Sequence, residues 1–458
     1  MHAADASAGE PAGPYRRLFR QAWPVMVGQM AVMANGIVDS IMAGRADART
    51  LAAVAVGNAV YISLYVGLMG IILGLTPLAS RHHGAGEHHR IGELGAQSLY
   101  IVALLTCLGT GAMLFPDPIL SLAQAPPELE ADIRAYLAAI AVGLPAALCF
   151  RVFHALNQAI STPAVVMRIQ LAMLSLKIPL NAWLIWGGLG VPAMGAAGCG
   201  WSTAVVMWFA CGVSAWLWFR SPRYKTIRAG KRLVRPHGPT LKTLLAMGLP
   251  IGGAYLIEVT AFTMVAVLIA RFGDAVVAGH QIVANLTATA YMLPLSLANA
   301  TTVLTAQQLG AGRPDKARQF VLTGLKSAAG CALVVVLLYG LLQDVLIGVY
   351  TRDAGAAAVA LSLMPWILAY HLIDAVQTLC TFALRAYGVS SAPMLIYAVC
   401  LWGVGLGGGV VLGIWNQPPL MAEGFWMASV GSLLMAGLLL ATLLWVAMRK
   451  PPAGSGLA

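Results

Sequence analysis

Charge is what this sequence has least of. Only 10% of its 458 residues are Asp, Glu, Lys or Arg, against 59% from the apolar set, whereas soluble domains carry about 25% charged residues. That scarcity excludes a soluble multidomain protein, and with it a disordered chain or a coiled coil, both of which need polar or charged sequence. Cysteine is scarce and unpatterned: Cys107, Cys149, Cys199, Cys211, Cys331, Cys380 and Cys400 all fall inside apolar runs with no C-x-x-C spacing. Disulfide scaffolds and zinc modules are thereby removed, leaving small apolar packing residues. No G-x-x-x-x-G-K-[ST] loop occurs, so nucleotide hydrolysis does not drive this chain directly. Nor does a nucleophile–base constellation or a metal-ligand spacing mark it as an enzyme.

What is present is apolar sequence in helix-sized lengths. A bilayer-crossing helix needs about 20 mainly apolar residues, and runs of that size fall near 18–43, 51–79, 94–116, 132–153, 165–187, 195–219, 241–270, 277–306, 318–343, 357–384, 392–415 and 425–447. The expected fold is an all-α membrane protein of about twelve spans, since the short alternating strands of a membrane barrel are not seen. Arg16, Arg17 and Arg20 precede a first run too long for a signal peptide's core, which reads as an uncleaved span.

The net charge of +11 would suggest nucleic acid in a soluble protein, but here the basic residues lie between the runs and act as topology signals. With Arg16 to Arg20 inside, the inner loops carry Arg81, Arg90, Arg151, Arg168, the cluster Arg220 to Lys242, Arg313 to Lys326, Arg385, Arg449 and Lys450. The outer loops hold only Arg45, Arg49, Arg134, Arg271 and Arg352. Both termini are therefore placed in the cytoplasm. Shifting the chain by 226 positions sets Pro24 on Pro250, Arg45 on Arg271, Tyr65 on Tyr291, and Gly84-Ala85-Gly86 on Gly310-Ala311-Gly312. An even number of spans per half makes this a parallel repeat, two six-helix lobes related by a pseudo-twofold along the membrane normal, as in alternating-access transporters. The expected organisation is a tail over 1–17, a lobe over 18–219, a basic linker over 220–240, a second lobe over 241–447 and a tail over 448–458.

Of seventeen acids, fourteen lie in tails, loops or the ends of runs, leaving Asp39, Glu258 and Asp374 inside them. A carboxylate at the centre of a membrane helix costs roughly 2.5–3.5 kcal/mol on insertion scales, so such residues normally face a cavity or a partner. Asp39 falls opposite Val265 in the repeat and Glu258 opposite Val32, so the halves share a scaffold and differ in chemistry. Tyr370 lies one helical turn from Asp374 on the same face. Two carboxylates and a phenol are hard oxygen ligands for a small cation, and burial would equally suit proton exchange.

The first span from Pro24 to Asp39-Ser40-Ile41-Met42-Ala43-Gly44, the run Ile178-Pro179-Leu180-Asn181, Gly198-Cys199-Gly200, Gly279-His280-Gln281, Glu258, and Tyr370 to Gln377 together resemble the multidrug and toxic compound extrusion (MATE) family in its bacterial NorM-type branch. The resemblance covers nearly the whole chain. It implies a monomeric antiporter of the bacterial inner membrane, embedded in the lipid bilayer, that exports cationic or amphipathic drug-like compounds in exchange for Na⁺ or H⁺ without a cofactor or nucleic acid. It also implies a cation site at Glu258, Asp374 and Tyr370, and an acid, Asp39, in the first lobe's polar cavity with Asn181. The rival of similar architecture is a flippase for lipid-linked oligosaccharides. It would line its cavity with Arg and Lys, and Lys177 is the one basic residue that this reading places within a span.

Lys177 stands where the family often has Asn, four residues before Asn181 on the same face. An intramembrane Lys pairs with a carboxylate or extends its stem to a polar boundary. Asp39 is the only candidate in its lobe, and pairing would make it a poorer proton carrier. Among the histidines, His371 adjoins the proposed cation site as a modulator, and His280, with Gln281 and Asn285, suits hydrogen bonds between helices. The tract His82 to His89 reads as a solvated inner turn.

Overall fold

The computed structural model describes residues 13–117, 126–188, 190–228 and 235–449. The acids of the N-terminal tail, the centre of the basic linker with Lys231 and Arg232, and Lys450 lie outside the described residues. Among the described residues there is no β-strand, and twelve long helices account for the chain. These are α1 (Pro14–Ala46), α2 (Ala48–Gly84, bent at Gly74), α3 (His88–Leu114), α4 (Pro127–Ala159), α5 (Pro163–Trp186), α6 (Gly195–Arg220), α7 (Gly238–Ile269), α8 (Asp274–Gly310), α9 (Pro314–Leu341), α10 (Ala354–Ala386), α11 (Ser391–Trp415) and α12 (Met421–Arg449). The repeat is visible in their ends. A shift of 226 positions carries Ala48–Gly84 onto Asp274–Gly310, end for end.

Eleven of the twelve are long and apolar enough to cross a membrane. The exception is α8, which sequence reading counted as an apolar run. Its composition is diluted by His280, Gln281, Asn285 and a series of Ser and Thr residues. Several hydroxyls turn back onto the helix itself, Thr287 to the Val283 carbonyl at 2.9 Å and Thr301 to the Leu297 carbonyl at 2.8 Å, which meets their bonding needs within the helix, whereas the buried Thr305 hydroxyl has no partner among the described residues.

The helices outrun the apolar runs that predicted them. At 1.5 Å per residue the 33 residues of α4 span about 50 Å, well beyond a hydrocarbon core of about 30 Å. Of the residues expected in inner loops, two are buried on helix instead. Arg151 lies within α4 at 8% exposure, and Arg385 is in the last turn of α10 at 6%.

By compactness the chain divides into one unit of residues 1–26, 266–387 and 404–458 and another of 27–265 and 388–403. In the first, α8 packs along α10, where a Cβ on Gly279 would meet the Val359 side chain at 2.6 Å. The start of α1 joins this unit, with the Arg17 guanidinium 5.1 Å from the Phe320 ring centre. Gly409 and Gly413 of α11 lie against Phe425 of α12, the close packing that a glycine-rich span permits.

In the second unit α4 is the buried centre, flanked by α2, α3 and α6. The end of the linker is fastened here, since Gln97 donates to the Arg235 carbonyl at 2.7 Å and accepts from the His237 amide at 3.0 Å. Helix α7 belongs to this unit too, held against α2 by facing glycines. A Cβ on Gly70 would lie 2.7 Å from the Gly252 backbone, and one on Gly248 would lie 2.1 Å from the Ile71 carbonyl oxygen. Small residues let helix backbones approach where lipid offers no hydrophobic drive. Gly248→Val is thus expected to force the helices apart at a cost of about 1–3 kcal/mol. Thermal unfolding of the purified protein in detergent measures this, and an unchanged midpoint would contradict the packing.

Candidate functional site

The first constellation is built from α1, α5 and α6, all within the unit of residues 27–265. Glycines set its geometry. A Cβ on Gly198 would sit 2.5 Å from the Leu184 carbonyl of α5, and one on Gly200 would sit 2.8 Å from the Tyr136 carbonyl of α4. Gly198 and Gly200 let α6 lie this close to both neighbours, and that brings Ser202 and Thr203, one turn further on, to Asn181 and Lys177.

Asp39 of α1 completes the cluster. Its Oδ1 lies 3.1 Å from the Lys177 Nζ and accepts from the Asn181 Nδ2 at 2.7 Å. Lys177 Nζ also donates to the Thr203 hydroxyl, and the Ser202 hydroxyl donates to the Asn181 Oδ1. Both hydroxyls return to the Cys199 carbonyl at 2.9 Å. The side chain of Lys177 is 2% exposed and that of Asp39 14%. The ion pair is thus sealed on the lysine side and open on the carboxylate side.

The second constellation lies in α8, α10 and α12, in the other unit. Asp374 is 5% exposed, and its Oδ1 accepts from the Thr378 hydroxyl at 3.3 Å and the Gln377 amide at 3.5 Å. One turn away, the Tyr370 ring stands edge-on to Trp426, with centres 5.6 Å apart. Trp426 donates to His280 Nδ1 at 3.2 Å, linking α12 to α8. His371 is 3% exposed, and neither ring nitrogen has a hydrogen-bond partner among the described residues. Gln281 is exposed and Asn285 half-buried on α8, where the Asn285 carbonyl accepts from Thr289. Glu258 is half-buried on α7, in the unit of residues 27–265.

Sequence reading missed Arg151. Its Nε donates to the Tyr65 hydroxyl at 2.9 Å, and Tyr61 stacks on Tyr65 with ring centres 5.3 Å apart. A phenol, not a carboxylate, meets this buried guanidinium. The sign of it in the sequence was an Arg inside an otherwise apolar run, which the loop assignment discarded. At the turn between α2 and α3, His82 pairs with Glu87 at 2.6 Å and His89 with Glu93 at 3.2 Å. Among the described residues no three His, Cys, Asp or Glu side chains gather as a metal site. Between α2 and α7 lies an apolar cavity of about 600 Å³, lined by Val60, Leu64, Gly67, Leu249, Gly252 and Leu256 with Ser63 as a polar group.

Known proteins resemble the chain throughout its length. The MatE family profile matches residues 24–183 and again 250–411, two copies whose starts lie 226 positions apart. A probable multidrug resistance protein NorM from Aromatoleum aromaticum is 39% identical over 439 residues, covering 95% of each chain. The multidrug resistance protein PmpM of Pseudomonas aeruginosa is 36% identical over 430 residues, covering 93% of this chain and 90% of its own. In fold, the eukaryotic MATE transporter AtDTX14 superposes with a TM-score of 0.86 at 16% identity, covering 96% of this chain and 98% of its own. An outward-facing multidrug resistance MATE transporter of the MOP superfamily gives 0.85 at 19% identity, covering 95% and 97%. With the profile spanning both halves and relatives above 30% identity over nearly its whole length, this integral membrane protein belongs to the MatE family and is of the NorM type.

Proposed function

We propose that this chain is a secondary antiporter that exports cationic and amphipathic drug-like compounds in exchange for Na⁺ or H⁺. Its relatives are named as multidrug resistance proteins, and the 600 Å³ cavity has the apolar lining that suits hydrophobic ligands of varied shape. The observation that carries the reading is Asp374, a carboxylate 5% exposed on a helix apolar enough to cross the bilayer. Such a group is retained at a cost of roughly 2.5–3.5 kcal/mol, which a coupling role accounts for. In this reading Asp374, with Tyr370 beside it, and Glu258 take the coupling cation, and His371 modulates the first of these. The cation must bind differently in the two states, because a cation of equal affinity for both would shift nothing.

The excess of basic residues on one side supports an orientation in the inner membrane with both termini in the cytoplasm. The repeat supports two lobes, 18–219 and 241–447, joined by the linker 220–240.

Dye efflux from proteoliposomes, driven separately by a Na⁺ gradient and by a pH gradient, tests this. One gradient is expected to drive uphill efflux, and Glu258→Gln to reduce it at least about tenfold, the effect of losing 1.4 kcal/mol of coupling. Full gradient-driven efflux by Glu258→Gln would remove Glu258 from the coupling set. No uphill efflux by the wild type under either gradient would end the antiporter reading.

A further inference from the structure

The ion pair of α1 and α5 is not accounted for by cation coupling through Glu258 and Asp374. Lys177 is among the most deeply buried large side chains of the molecule, at 2% exposure. Its ammonium has two partners, the Asp39 carboxylate and the Thr203 hydroxyl, and Thr203 is itself anchored to the Cys199 carbonyl. The ammonium is therefore fixed in place by a neighbouring helix as well as by its counter-charge. On Asp39 the bonds fall unevenly: Oδ1 receives both Lys177 and the Asn181 amide, while Oδ2 has no hydrogen bond or ion pair among the described residues. The carboxylate, 14% exposed, thus keeps one oxygen free of hydrogen bonds beside a positive charge held by two partners.

We propose that Lys177 is a tethered counter-cation that sets the charge selectivity of the site at Asp39. It occupies the electrostatic place that a mobile cation would take at Asp39. A cationic amphiphile approaching Oδ2 meets a neutral pair instead of a carboxylate, while an uncharged amphiphile is indifferent to it. The proposal uses the exporter reading only to choose a lipophilic cation as probe.

Two unit charges a few ångströms apart interact far more strongly near protein than in water, so removing the ammonium has a large effect on a cation bound at Asp39. The measurement is equilibrium binding of tetraphenylphosphonium to purified protein in nanodiscs with no ion gradient, beside the uncharged dye N-phenyl-1-naphthylamine. Lys177→Gln is expected to tighten tetraphenylphosphonium binding at least about tenfold and to leave the uncharged dye within twofold of wild type. Lys177→Arg keeps the charge and should keep the wild-type affinities. Lys177→Gln with Asp39→Asn removes both charges, folds without a stranded ion, and should lose the gain. The same series in a Glu258→Gln/Asp374→Asn background is expected to give the same shifts, so a failure of the coupling reading leaves this result standing. Unchanged tetraphenylphosphonium affinity in Lys177→Gln, or an equal change for both probes, would overturn the proposal and leave Lys177 as a structural tie between α1, α5 and α6.

Discussion

Asp374→Asn is expected to abolish uphill efflux while leaving the protein folded and in the membrane. Asn has the shape of Asp and can still accept from Thr378 and Gln377, whose contacts of 3.3 and 3.5 Å are too long to dominate stability. The substitution deletes the negative charge. An inward-moving cation draws roughly 2.3 kcal/mol from each 100 mV of membrane potential, which at 1.36 kcal/mol per tenfold is a ratio of about fiftyfold for an uncharged substrate. A transporter that no longer takes up the coupling cation loses that factor and is left with downhill exchange. Steady-state dye accumulation in energised vesicles reads the ratio directly. Asp374→Asn should bring it to unity, whereas counterflow with no gradient should persist. A mutant that still held a dye gradient would show that Asp374 is a structural polar contact.

The largest effect on stability is expected at Asp39. Asp39→Asn keeps an amide oxygen that can still accept where the carboxylate was but leaves the Lys177 ammonium, 2% exposed, without a counter-charge. Breaking a buried pair from one side costs about 3–5 kcal/mol because the survivor is an uncompensated charge. Asp39 is itself partly accessible, so solvent relieves some of this and the lower end is expected. Replacing both, as Asp39→Asn with Lys177→Met, removes the stranded ion and should recover most of the loss, since buried ion pairs exchange for apolar packing at little net cost. Thermal unfolding in detergent of the wild type, single and double mutants measures the cycle. A double mutant as unstable as the single would place the cost in Asp39 packing and not in the charge.

Helix periodicity, the 226-residue repeat and the rarity of charge are local or chain-wide regularities, and each was legible without coordinates. They determined an all-helical membrane protein of two related halves, and they singled out Asp39, Glu258 and Asp374, because an acid in an apolar run is conspicuous wherever the run folds. Helix ends were less legible. Hydropathy marks where lipid begins, while backbone hydrogen bonding carries a helix on past that point, which is why Arg151 and Arg385 lie on buried helix and not in loops.

Which helices touch was decided only by the tertiary structure. Lipid is as apolar as the helices it surrounds, so hydrophobicity does not choose their partners; close approach at small residues does. Glycines at 198 and 200 draw α6 between α4 and α5, and glycines at 248 and 252 draw α7 onto α2. The sequence by itself determined that a lysine and an aspartate would both fall within apolar runs of the first half. Their meeting at 3.1 Å, across 138 residues of chain, and the hydroxyl that holds the ammonium there, follow from backbone contacts that no one-dimensional pattern encodes.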